Sequence, residues 1–330
     1  MRKKRIYIVT LVLILISLVL LLIDKNTYKK YSKNYFYMDT YINIKINTTK
    51  SKKEIDNIFN DIDYLYSSYH KLTSRYDKYD GIVNVYYLNE ILDNNEEIEI
   101  DKRLSDIIDI GILYYDKTNG LFNIASGNLT SIWKVFIDNC DVLPSNLDVN
   151  INIDDIVLDG NKYIKYNDVK LDLGAISKGY VTELVGKYLE DNNIDSYIIN
   201  AGGNVKVGKA YNKDSYVVGI TNPDNKNDIF TKVNVNNLSI VTSGNYQRYC
   251  SFNDKIYGHI INPYTKLPSD YMKSVTVISN SSLLADIYST YLYLLPVEDG
   301  MKIVNSTSDI EAVWYIDSDK IVRSDNFNYE

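Results

Sequence analysis

Residues 169–180, VKLDLGAISKGY, decide the fold of this 330-residue chain. Apolar and polar residues alternate over 169–173, and this pattern predicts a β-strand. Gly174 ends that strand, and the three- and four-residue apolar spacing that begins at Ala175 predicts a helix. The chain therefore changes from strand to helix at a glycine, and we expect the other elements to pack around this corner.

The corner carries charged groups that suit an anionic ligand. A helix that begins directly after a glycine turn leaves its first backbone N–H groups free, and such groups bind phosphate. The same turn brings the Asp172 carboxylate and the Lys178 ammonium to one edge. An ordinary strand-turn-helix corner with a surface ion pair explains the pattern equally well, so the motif alone leaves both interpretations open.

The N-terminus has the pattern of a membrane anchor. Residues 2–5 are all Arg or Lys, and 6–23 form an apolar run that only Thr10 and Ser17 interrupt. The run approaches the ~20 residues that cross a bilayer. No small-residue cleavage site follows it, which favours an uncleaved anchor over a signal peptide.

The anchor divides the chain into four predicted regions. These are a cytoplasmic basic tail at 1–5, a single transmembrane helix at 6–23, a polar stalk at 24–34 and a folded domain at 35–330. Because basic residues stay on the cytoplasmic side, we expect the folded domain to lie outside the cytoplasm, on the cell membrane.

Composition limits the partners of this domain. The formal net charge is −7, and the four N-terminal cations make the remainder more acidic still. An acidic body with no basic cluster argues against a nucleic-acid partner. The two cysteines, Cys140 and Cys250, lack metal-site spacing, and the sequence leaves open whether they pair.

Helical and strand patterns are mixed along the domain. Apolar spacing predicts helices at 55–69, 85–92, 104–113 and 282–295, a strand at 36–46 and a hairpin at 249–261 that turns at 253–254. Strands and helices do not alternate regularly, so we predict an α+β fold of mostly antiparallel, mixed sheets with packed helices. The single-pass N-terminal transmembrane helix would precede it.

Four further segments place polar groups at the ends or inside of apolar elements. They are 200–204 (NAGGN), 241–249 (VTSGNYQRY), 258–263 (GHIINP) and 285–290 (ADIYST). The glycines of the first segment would let backbone approach a ligand, or would simply form a tight turn. His259 in the third segment is either catalytic or structural.

These segments, taken together with Met38 and residues 171–180, resemble the FAD:protein FMN transferase family over about residues 35–315. The order and spacing of the motifs carry the resemblance. It implies an α+β flavin transferase domain at 35–330 that cleaves the pyrophosphate of FAD. FMN would be attached through a phosphoester to a Thr hydroxyl of a target flavoprotein, and AMP would be released.

The resemblance also implies site residues. It implies FAD contacts at Met38, Tyr76, Leu121, Phe122, Asn123, Asp172, Lys178 and Ile261. It implies magnesium ligands at the Ala175 carbonyl, Asp286 and Thr290. It implies catalytic roles for His259, Asp286 and Lys178. The chain departs from the family pattern at Asp39, Asn123, Gly258, Asn262 and Lys266.

The residue types agree with this chemistry. Asp286 and Thr290 are four residues apart in a predicted helix and share a face. Their oxygens are hard ligands that suit Mg²⁺, although Thr290 could instead bond back to the carbonyl four residues earlier. His259 could act as general base for the acceptor hydroxyl.

Two other functions remain open from the sequence. A Mg²⁺-dependent FAD pyrophosphatase would use water as the acceptor and release FMN and AMP. A surface flavin-binding protein would use the same groups without catalysis. For a transferase, FAD is a substrate, and the expected partner is a membrane or extracytoplasmic redox protein.

Overall fold

The computed structural model describes residues 7, 10–14 and 27–329. The predicted basic tail at 1–5 and most of the predicted span at 6–23 lie outside these residues. Within the described ranges, no helix is long and apolar enough to cross a membrane. The anchor and the extracytoplasmic location stay predictions.

Residues 27–329 contain seven α-helices. They are α1 (Lys52–Thr73), α2 (Val85–Glu90), α3 (Lys102–Lys117), α4 (Gly127–Asn139), α5 (Ser177–Asp191), α6 (Ser282–Tyr293) and α7 (Val297–Ser306). A short 3₁₀ turn covers Ile153–Asp155. The predicted helix at 282–295 is confirmed, and Ser281 caps it by accepting a hydrogen bond from the Leu284 N–H. No sequence pattern predicted α4.

The strands follow in chain order. They are β1 (Lys29–Tyr37), β2 (Thr40–Thr48), β3 (Ile98–Glu99), β4 (Ile156–Asp159), β5 (Lys162–Lys165), β6 (Ser196–Ala201), β7 (Asn204–Val207), β8 (Tyr216–Asn222), β9 (Asn225–Val235), β10 (Leu238–Gly244), β11 (Tyr249–Phe252), β12 (Lys255–Gly258), β13 (Ser274–Ser279), β14 (Ile310–Asp317) and β15 (Lys320–Arg323). The predicted hairpin at 249–261 is confirmed as β11 and β12.

One large sheet organises the domain. Its eight strands lie in the order β1-β2-β6-β7-β10-β13-β14-β15, and every neighbouring pair is antiparallel. Strands β3, β5 and β4 form a small sheet, and β8–β9 and β11–β12 form two-stranded ribbons. The predicted α+β class with mostly antiparallel pairing is confirmed.

The predicted strand at 36–46 is wrong in its extent. The structure has a hairpin there, in which β1 and β2 are joined at Met38 and Asp39, with φ of 53° and 55°. Positive φ at both central positions gives the tight turn that fits the twist of a hairpin. Because β1 is a polar edge strand, its alternation is too weak to predict. Residues 29–34, within the predicted stalk, belong to β1.

Residues 169–173 are extended but pair with no neighbouring strand as a ladder. Their apolar side chains are buried as the alternation predicted. Their backbone bonds go elsewhere: the Asn89 amide donates to the Leu171 carbonyl and accepts from its N–H, and the Asp172 N–H donates to the Ile124 carbonyl. The predicted strand is therefore wrong, because a buried side chain takes the place of a partner strand.

The core lies between the large sheet and its helices. The predicted apolar stripe of α1 is buried at Ile55, Ile58, Phe59, Ile62, Tyr66 and Tyr69. Helix α6 packs on β10 and β13, and α5 packs on α6 and β7. This packing brings the first turn of α5 against the middle of α6, where the site residues lie.

Candidate active site

Asp172 lies at the start of the turn that leads into α5. One of its carboxylate oxygens accepts from the Gly174 N–H at 2.9 Å, and the other accepts from the Thr130 hydroxyl at 2.7 Å. Arg75 Nη1 lies 2.5 Å from the same second oxygen. Burial opposes ionisation, but the Arg75 charge and these hydrogen bonds outweigh it and lower the pKa of Asp172. The carboxylate is therefore ionised at neutral pH.

Arg75 is the counter-charge that sequence analysis did not identify. Its side chain is only 8% exposed, and it joins the loop after α1 to the first turn of α4. It donates to the Thr130 hydroxyl at 2.6 Å, to the Gly127 carbonyl at 2.7 Å and to the Ser131 hydroxyl. One guanidinium thereby fixes the Asp172 turn against α4. A single Arg in a polar loop carries no pattern that would have revealed this role.

Asp286 is buried in α6 and faces the first turn of α5. Its Oδ2 accepts from the Gly179 N–H at 2.7 Å, and the residue is 5% exposed. A Cβ on Gly179 would lie 2.5 Å from the Asp286 Cβ and 2.7 Å from the Ser282 carbonyl oxygen. Only glycine permits this approach of the two helices. Desolvation raises the pKa of Asp286, against the opposing influence of Lys178 and the Gly179 N–H.

The other predicted metal ligands are free to bind a cation. Because the Gly179 N–H bonds to Asp286, no described residue donates to the Ala175 carbonyl four residues earlier. The Thr290 hydroxyl likewise has no hydrogen-bond partner in the described part of the chain. It does not bond back to the Asp286 carbonyl, which instead accepts from the Ser289 hydroxyl at 2.9 Å. Oxygen ligands of these kinds are ones that Mg²⁺ accepts in proteins.

The predicted magnesium site has few protein ligands. Across the described ranges, no cluster of three or more His, Cys, Asp or Glu could hold a metal. The predicted set has one carboxylate, one hydroxyl and one backbone carbonyl. Mg²⁺ commonly binds through one or two carboxylates and completes its shell with water and substrate phosphates. Magnesium remains a prediction that this arrangement supports.

Asn204 supports α6 from the neighbouring hairpin. Its Oδ1 accepts from the Ser282 hydroxyl at 2.7 Å, and the residue is 1% exposed. Its Nδ2 has no hydrogen-bond partner among the described residues, but it lies near enough to Asp286 to lower the pKa of that carboxyl. Gly202 and Gly203, with φ of 61° and 93°, form the turn between β6 and β7. The tight-turn interpretation of these glycines is confirmed.

Lys178 and His259 lie on the open side of the same turn. Lys178 Nζ donates to the Gly174 carbonyl at 3.2 Å. The surface of His259 is partly exposed, but its ring lies close to Arg248 and Lys178, and its Nδ1 is 3.3 Å from the Arg248 carbonyl oxygen. Desolvation by the surrounding chain, followed by the positive charges of Arg248 and Lys178, lowers the pKa of His259 to about 4. Both causes act in the same direction, so the imidazole is neutral at physiological pH and able to accept a proton.

Tyr76 and Met38 occupy two different surroundings. The Tyr76 ring is 52% exposed and lies between Arg75 and Lys134, whose charged groups are 5.4 and 5.5 Å from its centroid. It therefore stands beside the Asp172 turn. The Met38 N–H donates to His70 Nδ1 at 3.3 Å, which ties it to α1.

The predicted FAD contacts at 121–123 and Ile261 are largely buried or hydrogen-bonded within the protein. Phe122 and Ile261 are 2% and 9% exposed. The Asn123 amide donates to the Ile151 carbonyl at 2.9 Å and accepts from the Ala125 N–H at 2.8 Å. A cavity of about 340 Å³ lies beside them, lined by Tyr115, Gly120, Asn123, Val149, Asn150, Ile151, Asn152, Pro263 and Tyr264.

The structure answers the question of the cysteines. Cys140 and Cys250 form a disulfide, with their Cα atoms 5.5 Å apart and a sequence separation of 110. It links the end of α4 to β11.

The fold and the site define an α+β protein in which the first turn of α5 faces a buried carboxylate of α6. The model of the ApbE family matches residues 38–314, and the chain belongs to that family. The chain is 32% identical to the FAD:protein FMN transferase of Klebsiella pneumoniae (strain 342) over 213 residues, which cover 62% of this chain and 66% of that protein.

Other relatives agree with this assignment. The FAD:protein FMN transferase of Buchnera aphidicola subsp. Baizongia pistaciae is 31% identical over 62% of this chain and 64% of its own length. The matched region thus spans about two thirds of these relatives. The crystal structure of the ApbE protein from Thermotoga maritima has the same fold, with a TM-score of 0.80 and 24% identity over 91% of this chain and 98% of that chain.

Proposed function

We propose that this protein is an FAD:protein FMN transferase that works outside the cytoplasm. One observation carries the proposal: Lys178 and the start of α5 lie directly against Asp286 of α6. Cationic and hard-oxygen groups therefore meet at one turn, as cleavage of a pyrophosphate requires. The names of the relatives support FAD as the substrate and a protein as the acceptor.

The chain's own groups have separate tasks in this transfer. Lys178 binds the anionic oxygens of the FAD pyrophosphate through its ammonium group. The N–H groups of Ile176, Ser177 and Gly179 are already bonded within the protein, so the expected set of free N–H groups at the start of α5 is not available for this task. Asp286, Thr290 and the Ala175 carbonyl would hold Mg²⁺, which when bound neutralises charge on the phosphates. Asp172 and the Tyr76 ring beside it hold the rest of the dinucleotide.

His259 completes the reaction by moving a proton. Its neutral imidazole accepts the proton of the acceptor Thr hydroxyl as that oxygen bonds to the phosphorus of the FMN half. The bond from this phosphorus to the oxygen that bridges it to the AMP half then breaks, and AMP leaves. Phosphoryl transfer of this kind depends mostly on positioning and charge neutralisation.

The location and the partner follow from the same proposal. A disulfide between Cys140 and Cys250 supports a compartment outside the cytoplasm, where such bonds persist. We assign 1–5 to the cytoplasmic tail, 6–23 to the anchor and the folded domain to the outer face of the cell membrane. The acceptor is then a membrane or extracytoplasmic flavoprotein.

The test separates transfer from hydrolysis. The full-length protein is incubated with FAD, Mg²⁺ and a candidate acceptor domain, and flavin fluorescence is recorded on a denaturing gel while AMP is measured. The matched control is the same acceptor with its Thr replaced by Val. We expect fluorescence only on the Thr acceptor. AMP release with no covalent flavin on any acceptor would show a pyrophosphatase instead.

A further inference from the structure

The hairpin of β11 and β12 delivers His259 to the site. Arg248 immediately precedes β11 and His259 immediately follows β12, so the two lie side by side at the open end of the hairpin. The hairpin is a separate two-stranded ribbon and is not paired with the eight-stranded sheet. A two-stranded ribbon is marginally stable by itself. Its position must therefore be set by contacts with another element.

That element is α4. Cys250 of β11 is bonded to Cys140, which caps the C-terminal end of α4. Tyr257, opposite Cys250 in the ribbon, stacks on Trp133 of α4 with the ring centroids 6.0 Å apart and 18° between the planes. Phe252 meets Phe136 edge to face, with a centroid separation of 5.7 Å.

The opposite end of α4 is fixed at the phosphate side of the site. Its first turn offers Gly127, Thr130 and Ser131 to the Arg75 guanidinium, and Thr130 also bonds Asp172. Helix α4 has 13 residues and is about 20 Å long. It therefore spans from the Asp172 turn to the hairpin that carries His259.

We propose that the Cys140–Cys250 disulfide is a positioning element for the transfer step, because it holds His259 in register with the Asp172–Lys178 turn. The inference rests on the proposed function for its kinetic consequence. Lys178 and Asp286 lie on α5 and α6, outside the hairpin, so we expect loss of the disulfide to affect the transfer step more than FAD binding. Reduction by a dithiol transfers two electrons and two protons, giving two protein thiols and an oxidised reductant.

Kinetics give the first measurement. In the full-length protein, reduction should lower kcat for FMN transfer by about tenfold to 10²-fold, as for misplaced catalytic groups, while KM for FAD stays nearly constant. Reoxidation should restore kcat in the same sample. The double variant Cys140→Ser/Cys250→Ser should behave like the reduced protein. The control Ser251→Ala changes the neighbouring exposed position of β11 and should behave like wild type.

Histidine NMR gives a second measurement that does not depend on activity. The chain has only two histidines, so the Hε1 signal of His259 can be followed with His70 as the internal reference. The groups that face His259 are Arg248, Lys178 and Asp172. Release of the hairpin should move the His259 titration from about 4 towards the ordinary value of 6.5.

The two measurements together decide the proposal. An unchanged kcat after reduction overturns it. A lower kcat with an unmoved His259 signal also overturns it, because the loss then arises elsewhere. If the oxidised protein transfers no FMN to any acceptor, the proposed function fails, and the His259 signal still tests whether the disulfide holds the hairpin.

Discussion

Replacing Arg75 by Met should uncouple the Asp172 turn from α4. The variant keeps an unbranched side chain that can replace the apolar stem of Arg75, but it removes the buried charge and its hydrogen bonds. Removing one partner of a buried pair costs about 3–5 kcal/mol. The Asp172 side chain is 21% exposed and keeps its bonds from Thr130 and Gly174. We therefore expect a loss of about 2–4 kcal/mol in the free energy of unfolding.

Urea unfolding at pH 7 measures this loss. The matched control is Arg103→Met, which breaks an exposed pair with Asp101 whose side chains are 39% and 34% exposed. An exposed pair is worth less than about 1 kcal/mol. The double variant Arg75→Met/Asp172→Asn should cost less than the two single changes added together, since it leaves no unpaired charge.

The pH dependence of the free energy of unfolding tests whether Arg75 stabilises the ionised form of Asp172. The pKa of Asp172 is lowered in the folded state, so its contribution is present above the ordinary aspartate pKa of 3.8 and is lost as pH falls through the folded value. Arg75→Met should flatten this acid-side loss. A variant within about 0.5 kcal/mol of wild type, the range of ordinary surface substitutions, would refute the role given to Arg75.

Three further changes test the division of tasks. Lys178→Ala should weaken FAD binding by about tenfold or more, measured by flavin fluorescence, because a charge-assisted hydrogen bond is lost; unchanged affinity would contradict its phosphate role. His259→Ala should leave FAD affinity intact and slow transfer by about 10²–10⁴-fold. The wild-type rate should hold from neutral pH downwards and fall only near pH 4, as the ring is protonated; equal loss of binding in the variant would point to a structural His259. Thr290→Val should raise the Mg²⁺ concentration for half-maximal rate moderately, and an unaltered Mg²⁺ titration would remove Thr290 from the ligand set.

Local patterns in the sequence predicted what local forces determine. The stripe of α1, the helix α6 with its Ser281 cap and the β11–β12 hairpin all form from residues a few positions apart. The burial of the apolar residues within 169–173 was also predictable from alternation. The absence of a β-ladder at 169–173 could not be predicted, because the backbone of Leu171 bonds to the side chain of Asn89, which is 82 residues away.

The site also contains residues that the sequence predicts and residues that only the fold reveals. Lys178, Asp286 and His259 belong to motifs that could be recognised, but only the packing of α5 on α6 shows that Gly179 brings the first two together. Arg75 could not be predicted, since its partners lie 52 to 97 residues away. The one available signal was the need of a buried Asp172 for a counter-charge. The disulfide was left open for the same reason, because its closure is a property of the fold.

Asp286→Asn tests the central claim most directly. The amide keeps the size of the carboxylate and its carbonyl oxygen can still accept from the Gly179 N–H, so the helices should stay packed. The measurement is a Mg²⁺ titration of FAD turnover, with AMP and covalent FMN quantified in the same reactions. We predict that wild type forms the two products in equal amounts and that the variant, although folded, forms neither at any Mg²⁺ concentration that saturates wild type. Near-normal turnover by Asp286→Asn at low Mg²⁺ would contradict the account and place the metal elsewhere.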